Sequence, residues 1–210
     1  MGGKWKVSFV AILVMSLSGC ASMNADQCVT SDWFAIGHED GSRGYTSDRL
    51  GNYRKACAKH GVSPNFEAYH SGRDQGLVEF CQPGRGFNYG VNGGRYRGVC
   101  SVEMEADFLE AYRSGQRLHT LRANVSTANS QIYNKERELK DAEKRATAIA
   151  VALVSSETTT EGRVLLLVEL KEISEYIGQL ESEIEVLIVD RARYERDLEH
   201  YEQTVAAYGY

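Results

Sequence analysis

The sequence lacks the short motifs by which most enzymes and nucleotide-binding proteins are identified. It contains no G-x-S-x-G nucleophile elbow and no H-E-x-x-H zinc motif. None of its glycine-rich runs has the G-x-G-x-x-G or Walker spacing of a phosphate-binding loop. We therefore predict a protein that is not an enzyme, with no catalytic residues, no metal and no cofactor.

Cysteine pairs spaced for metal binding are also missing. Cys28, Cys57, Cys81 and Cys100 are separated by 29, 24 and 19 residues, without a Cys-x-x-Cys pair or paired histidines. Four cysteines in an oxidising compartment instead predict two disulfides. Three connectivities are possible, and we favour Cys28–Cys57 with Cys81–Cys100 because each closes a short local loop.

Acidic residues outnumber basic ones in the second half of the chain. Residues 103–210 contain 21 acidic residues and 13 Lys/Arg, a balance of −8 within a total of −5. This argues against nucleic acid as a partner and against docking of this half on anionic headgroups.

No apolar run is long enough to span a bilayer, which needs roughly 20 residues. The run from Val7 to Leu17 has about eleven residues and follows two lysines, Lys4 and Lys6. Small residues come after it. These are the parts of a secretory leader, predicted over residues 1–19.

The leader ends in Leu17-Ser18-Gly19-Cys20, which is similar to the bacterial lipoprotein consensus at all four positions. The resemblance implies removal of residues 1–19 and acylation of Cys20 by diacylglyceryl and palmitate-type chains, which hold a protein firmly on a membrane. Ala21, in place of Asp, implies an outer-membrane lipoprotein facing the periplasm of a Gram-negative bacterium. Residues 20–27 are then a short tether. The alternative is an ordinary signal peptide with Cys20 incidental.

Glycine and aromatic residues recur together from Cys28 to Gly115, through the predicted glycine- and cysteine-rich domain of residues 28–102 and just beyond it. An aromatic residue is followed by Gly at +3, and in three of four copies by Gly at +7. On a helix these positions share one face, where glycine lets another backbone approach closely. We therefore predict short, tightly packed helices braced by disulfides. The copies are Phe34-Gly37-Gly41, Tyr69-Gly72-Gly76, Phe87-Gly90-Gly94 and Tyr112-Gly115.

Capping residues suggest where these helices start and stop. Asp48 is predicted to cap a helix over residues 49–60. Ser63-Pro64 is predicted to open the next helix, which runs to about Phe80. The six glycines between Gly84 and Gly98 predict little helix beyond one turn.

Residues 28–119 resemble a family of proteobacterial lipoproteins classed as a domain of unknown function. The family implies a periplasm-facing lipoprotein and carries no known activity, and Ser101 departs from it where Pro is expected. The resemblance rests on Asp32-Trp33, Gly37, Asp40-Gly41, Gly44, Cys57, Gly61, Tyr69, Gly72-Arg73, Gly76-Leu77, Cys81, Gly86-Phe87, Gly90, Gly94, Tyr96, Gly98, Cys100, Phe108, Ala111-Tyr112 and Gly115.

A heptad pattern occupies residues 103–208. Apolar residues alternate steps of three and four from Leu118 to Leu153 and again from Leu166 to Tyr208, with only Lys135 and Arg191 polar. This predicts an antiparallel coiled-coil hairpin that turns at about residues 155–162. In this hairpin the residue numbers of facing positions sum to 319. Val205 and Tyr208 are therefore predicted to return beside residues 111–114. The alternative is two helices that pair with other subunits.

The predicted hairpin tip is unusually apolar. Residues 148–154 and 164–168 are continuous apolar runs, of which a two-stranded coil buries only one stripe. Val154 and Leu165 are therefore candidate contacts to a second copy or to another envelope protein.

Two other candidate sites are weaker. His38-Glu39-Asp40 is the densest polar cluster, and we interpret it as a solvated helix face rather than a general acid/base site. Trp33, Arg73, Tyr96 and Arg97 suggest contacts to peptidoglycan or another glycan, although such aromatics more often fill a core. We expect a structural or interaction lipoprotein, with a glycan-binding module as the alternative.

Overall fold

The protein is all-α, as predicted. The computed structural model describes residues 23–207, which form seven helices and no strand. The chain divides into two compact units, one up to Gly76 and one from Leu77, whereas the predicted division falls at residue 102, where the sixth helix begins. The helices are α1 (Ala25–Thr30), α2 (Trp33–Ser42), α3 (Asp48–Ala58), α4 (Phe66–Phe80), α5 (Pro83–Val91), α6 (Val102–Val154) and α7 (Thr160–Ala207).

Both favoured disulfides are confirmed. Cys28 in α1 pairs with Cys57 in α3, with their Cα atoms 5.5 Å apart. Cys81 pairs with Cys100 at a Cα separation of 5.7 Å. Both separations lie within the usual range for a disulfide. Each disulfide therefore closes a loop inside one compact unit.

In the first unit, α2 and α4 cross at their glycines. A Cβ atom added to Gly37 would lie 2.0 Å from the carbonyl oxygen of Tyr69. A Cβ atom added to Gly72 would lie 2.0 Å from the carbonyl oxygen of Phe34. No side chain fits at either position, so the two backbones touch. The close approach predicted from the glycine spacing is thereby confirmed.

The second unit repeats this crossing with α5 and α6. A Cβ atom on Gly90 would lie 2.2 Å from the carbonyl oxygen of Tyr112, and one on Gly115 would lie 2.1 Å from that of Phe87. In both units the glycine of one helix therefore meets the carbonyl of the aromatic residue on the other.

The two crossings are also copies in sequence. We define module 1 as residues 28–76 and module 2 as residues 81–119. Positions 28–37 of module 1 recur in module 2 at a distance of 53 residues. Positions 57–72 recur at a distance of 43 residues. The matching positions are Cys28/Cys81, Phe34/Phe87 and Gly37/Gly90 in the first half, and Cys57/Cys100, Glu67/Glu110, Ala68/Ala111, Tyr69/Tyr112, Ser71/Ser114 and Gly72/Gly115 in the second.

Two predicted helix starts are wrong by one or two residues. Asp48 is the first residue of α3 rather than its cap, and the helix ends at Ala58. The fourth helix begins at Phe66, where the Asn65 side chain accepts a hydrogen bond from the Ala68 amide at 3.0 Å. Asparagine caps a helix as well as serine does, and Asn65 directly precedes α4, the helix that packs in this unit.

The segment from Gly84 to Gly98 is more helical than predicted. Pro83 occupies the first turn of α5, which continues for nine residues to Val91. Gly86 and Gly90 are both buried against α6. Tertiary packing at these glycines therefore outweighs their cost of roughly 1 kcal/mol each to the helix.

The second unit ends in an antiparallel hairpin of α6 and α7. Its buried seam contains the predicted residues, among them Ala142, Ile149, Ile173 and Leu180, and facing positions follow the predicted sum of 319. The turn between the helices is residues 155–159.

The base of the hairpin is closed by the end of α7. Val205 packs with Phe87, Ala111 and Leu118, and the Tyr201 hydroxyl donates a hydrogen bond to the Ser114 carbonyl at 3.1 Å. The predicted return of the C-terminal segment onto module 2 is confirmed as far as residue 207. Residues 1–22, with the predicted leader and Cys20, lie outside the described residues, and so does Tyr208.

Candidate functional site

Asp40 is the one buried charged residue of residues 23–207, with 4% of its surface exposed. Its Oδ2 accepts a hydrogen bond from the Tyr69 hydroxyl at 2.8 Å. Its Oδ1 lies 2.9 Å from Arg49 Nε, and the Tyr53 hydroxyl donates to it at 3.4 Å. The interpretation of this cluster as a solvated helix face is therefore wrong for Asp40.

The module places Asp40 and its partners together. Asp40 lies one turn after Gly37, so it points along the crossing toward the Tyr69 ring. Gly44, with a φ of 68°, reverses the chain after α2 and brings Arg49 of α3 back toward Asp40. Both the Nε and Nη2 atoms of Arg73 donate to the Tyr45 carbonyl, at 3.3 and 3.0 Å, and tie this turn to α4.

The surroundings of Asp40 change the acidity of its two tyrosines. Burial raises the pKa of Tyr69, and the hydrogen bond to Asp40 raises it further. Burial also raises the pKa of Tyr53, against the opposing effect of the hydrogen bond from Arg49. Both tyrosines are therefore neutral donors at physiological pH.

In module 2 the buried tyrosine hydroxyl at the crossing donates to a backbone carbonyl rather than to a carboxylate. There the Tyr112 hydroxyl, which corresponds to Tyr69, donates to the Gly94 carbonyl at 2.8 Å. It also accepts a hydrogen bond from Gln116 Nε2 at 2.8 Å. A buried tyrosine hydroxyl at the crossing thus needs an acceptor in each module, and Asp40 supplies it in module 1. We interpret Asp40 as a tertiary anchor.

A cavity of about 350 Å³ opens beside this anchor within the first unit. Glu39 and Arg43, which pair at 2.6 Å, are both more than half exposed. The guanidinium of Arg49 lies 4.3 Å from the centre of the Tyr45 ring. The acidic residues of the cavity are thus paired with its arginines. The His38 ring stacks on the Phe34 ring, with the ring centres 6.5 Å apart. The lining consists of Met23, Gln27, Ser31, Ile36, Glu39, Asp40, Arg43, Arg49 and Tyr53.

The residues predicted to contact a glycan have partners within the protein. Trp33 is 7% exposed and packs edge-on against Tyr53 with ring centres 6.0 Å apart, so it presents no open face. The Tyr96 hydroxyl donates to Glu105 at 2.8 Å and accepts from the Cys100 amide at 3.0 Å. Trp33 and Arg73 belong to the first unit and Tyr96 belongs to the second.

The hairpin tip has several exposed apolar side chains. Val154 is 81% exposed and Leu165 is 71% exposed. The turn itself is ordered by Arg163, whose Nη2 donates to the Ser155 carbonyl at 3.0 Å, and by Thr158, which donates to the Ala152 carbonyl at 2.7 Å. The exposed apolar side chains at this end are Val151, Val154, Val164, Leu165, Leu167 and Val168.

Two features are absent from residues 23–207. These residues contain no group of three or more His, Cys, Asp or Glu side chains placed to hold a metal ion. Among these residues no helix combines the length and the hydropathy needed to cross a bilayer.

Comparison with known families matches the duplicated part of the chain. Residues 32–117 match the model of a family described as "Protein of unknown function (DUF2799)", about two fifths of the chain. The match supports the resemblance to a family of unknown function. It contains the two crossings and stops at Arg117, before most of the hairpin. No curated protein and no solved structure matches the chain.

Proposed function

We propose that the protein is an outer-membrane lipoprotein that faces the periplasm, and that its coiled-coil hairpin is an element for binding other proteins. In this proposal module 1 follows the lipid anchor along the chain, and the hairpin of the second unit supplies the binding surface. The proposal assigns no chemical reaction to the protein.

The N-terminal sequence supports the anchor. Leu17-Ser18-Gly19-Cys20 has the spacing and residue types of a lipidation signal, and Ala21 favours the outer membrane over the inner membrane. The first described helix is capped at Asn24, which follows Cys20 by four residues. Extended chain of that length reaches about 14 Å at most. The two disulfides agree with folding in an oxidising compartment.

One observation carries the proposed binding role, namely the exposed apolar surface at the hairpin tip. In a two-stranded coil, positions that face away from the seam are normally polar. Here Val151, Val154, Leu165 and Val168 occupy such positions, and each is more than half exposed. Contiguous apolar surface of this kind marks an interaction site. The polar turn beyond it, with Glu157 and Glu161, disfavours insertion of the tip into a bilayer.

The binding role is tested by photo-crosslinking in living cells. A photo-reactive amino acid is placed at Val154 or at Leu165 in the full chain, with Glu172 as a matched exposed polar position on the same hairpin. We expect a protein adduct from Val154 and Leu165 that is weak or missing from Glu172. Equal yields from all three positions, or no adduct from any, would contradict the role.

The anchor is tested separately. Cys20→Ser should move the protein from the membrane fraction to the soluble periplasmic fraction and abolish incorporation of labelled fatty acid. A Cys20→Ser protein that stays in the outer membrane would refute the lipid attachment.

A further inference from the structure

The Lys and Arg residues of the first unit fall into two groups. Three of the six have partners inside the unit, either an acidic side chain or a backbone carbonyl; these are Arg43, Arg49 and Arg73. The other three are Arg54 and Lys55 on α3 and Lys59 directly after it. All three are exposed, and none forms an ion pair with an acidic residue of the described chain, 23–207.

These three cations lie on one side of α3. Lys59 keeps helical backbone angles, so all three fall within an arc of about 140°, on the side away from the buried residues Leu50 and Cys57. Gly51 and Ala58 lie between the cations, and both are too small to hold a flat charged surface away from them. We call this side the basic face and define it by Arg54, Lys55 and Lys59.

An exposed aromatic residue adjoins the basic face. Phe66, the first residue of α4, is 43% exposed and lines a cavity of about 530 Å³ together with Arg54 and Lys55. The one carboxylate of this lining is Asp48, which accepts a hydrogen bond from the Thr46 hydroxyl at 3.3 Å. Cations beside an exposed apolar ring are typical of protein surfaces that lie at a membrane interface.

Module 2 makes the same crossing without a counterpart of this surface. Its disulfide joins cysteines 19 residues apart, whereas that of module 1 joins cysteines 29 residues apart. The segment between α5 and α6, residues 92–101, contains no helix that corresponds to α3. Leu109, which corresponds to Phe66, packs against the core of the second unit. The helix that carries the basic face and the exposed ring are therefore not required by the crossing itself.

The basic face lies close to the proposed lipid anchor. The Cα atoms of Cys57 on α3 and Cys28 on α1 are 5.5 Å apart. Cys28 lies about 6 Å along α1 from Asn24, and the chain from Cys20 to Asn24 reaches about 14 Å at most. Cys57 is therefore at most about 26 Å from Cys20, so the headgroups around the anchor are always within reach of this unit.

The three cations are sufficient to orient the unit once it is attached. Each Lys or Arg at an anionic membrane surface raises the affinity about fivefold, so three raise it on the order of 100-fold. Attachment through Cys20 makes this second contact intramolecular, at a high effective concentration of headgroups. The acyl chains then hold the protein on the membrane, and the basic face determines which side of the first unit meets the lipid.

We propose that the basic face binds anionic phospholipid headgroups of the bilayer to which Cys20 is attached, with Phe66 at the level of the headgroups. This inference rests on the proposed lipid anchor and adds a second membrane contact of the same unit. Two observations select this surface and this partner. The cations of the first unit that lack an internal partner all lie on it, and the lipid headgroups are the anionic surface that the anchor keeps beside it.

The first test attaches the mature chain, residues 20–210, to vesicles through Cys20. Without acylation Cys20 has the one free thiol, because the other four cysteines form disulfides, so it couples to a maleimide-bearing lipid. A photo-reactive amino acid replaces Ala58 in the middle of the basic face. Vesicles with about 30% phosphatidylglycerol should give about five times more lipid adduct, or a larger excess, than pure phosphatidylcholine. Equal yields from the two kinds of vesicle would overturn the proposal.

The second test reverses charges on the basic face. Lys55→Glu with Lys59→Glu should remove the excess of adduct on anionic vesicles, because two attractions become repulsions. The matched control is Lys140→Glu with Lys144→Glu, which makes the same change of net charge at the same spacing on exposed positions of α6. The control should keep the excess. An equal loss in both double variants would show that net charge alone is responsible, and the basic face would be refuted.

Peptidoglycan is the competing anionic surface. The mature chain is sedimented with purified sacculi, with and without the double substitution on the basic face. Sedimentation that requires Lys55 and Lys59, combined with equal adducts on the two kinds of vesicle, would assign the basic face to peptidoglycan and refute the lipid contact.

The outcomes separate this inference from the broader function, because coupling to vesicles does not use acylation in the cell. Equal adducts on the two kinds of vesicle, with Cys20→Ser still released from the membrane in cells, refute the contact of the basic face alone. A Cys20→Ser protein that stays in the outer membrane refutes the anchor, whatever the vesicles show. Neither result bears on the hairpin tip, which has its own crosslinking test.

Discussion

Replacing Gly72 by alanine is expected to destabilise module 1, although alanine is the better helix former. The new methyl group would lie 2.0 Å from the Phe34 carbonyl oxygen, which belongs to the backbone of α2. Ordinary contact needs about 1.4 Å more, so the two helices must separate. Overpacking of this kind costs about 1–3 kcal/mol, and the gap forfeits part of the dispersion energy around the crossing. After a gain of about 1 kcal/mol in helix propensity, we expect a net loss of about 1 kcal/mol, and at most about 2 kcal/mol.

Gly51 provides the matched control for this prediction. It is also helical, but a Cβ atom there would meet nothing within 4 Å. Gly51→Ala should therefore stabilise the protein by about 0.5–1 kcal/mol. The two substitutions are chemically identical and differ only in what surrounds them.

The assay uses an intrinsic probe. The sequence has two tryptophans, and Trp33 is the sole one once residues 1–19 are removed. Because Trp33 is buried in the first unit, its fluorescence during urea unfolding reports module 1. An unfolding midpoint for Gly72→Ala at or above that of Gly51→Ala would refute the backbone contact at the crossing.

Three other predictions concern the disulfide, the buried tyrosine and the hairpin seam. Cys28→Ala with Cys57→Ala should lower the unfolding free energy by about 3–4 kcal/mol, and an unchanged urea midpoint would contradict this. Because the pKa of Tyr69 is raised on folding, the stability it confers is complete below about pH 10 and lost as the pH rises through its folded value. Tyr69→Phe should lower the free energy of unfolding by about 1–3 kcal/mol at neutral pH. It should also make the loss of stability at alkaline pH less steep, and an equally steep loss would refute its assignment to Tyr69. Lys135→Leu should raise the thermal midpoint of the hairpin, followed by circular dichroism, because it replaces a charged residue in the seam; a lower midpoint would show that the contact to Glu183 at 2.8 Å matters more.

The hairpin could be predicted from sequence because its signal is local and repeated. From Leu118 onward, every heptad indicates the same buried side of the helix. Matching the two arms then gives the register, in which the numbers of facing residues sum to 319. The disulfide pairing was predictable for a related reason, since short loops are cheap to close. The same repetition was visible around Tyr69 and Tyr112, where E-A-Y-x-S-G occurs twice. Read together with the cysteines, it would have revealed the duplication and the pairing of the helices.

The environment of Asp40 could not be predicted in this way. Its burial depends on Tyr69, which lies 29 residues away, and on the turn at Gly44 that returns Arg49 to it. Nothing in the run His38-Glu39-Asp40 distinguishes the residue that faces the crossing from its neighbours. The predicted start of α4 was wrong for a simpler reason. Ser63 and Asn65 are both residues that cap helices well, and packing decides which of them does so.

The length of α6 has a mechanical consequence. It is a continuous helix of 53 residues that touches α5, backbone to backbone, at Gly115. This contact divides it into a short arm of about 20 Å, back to Val102, and a long arm of about 58 Å, out to Val154. A sideways load at the far end would therefore act on the packed part of α6 through an arm about three times as long as the one that leads back to the Cys81–Cys100 disulfide.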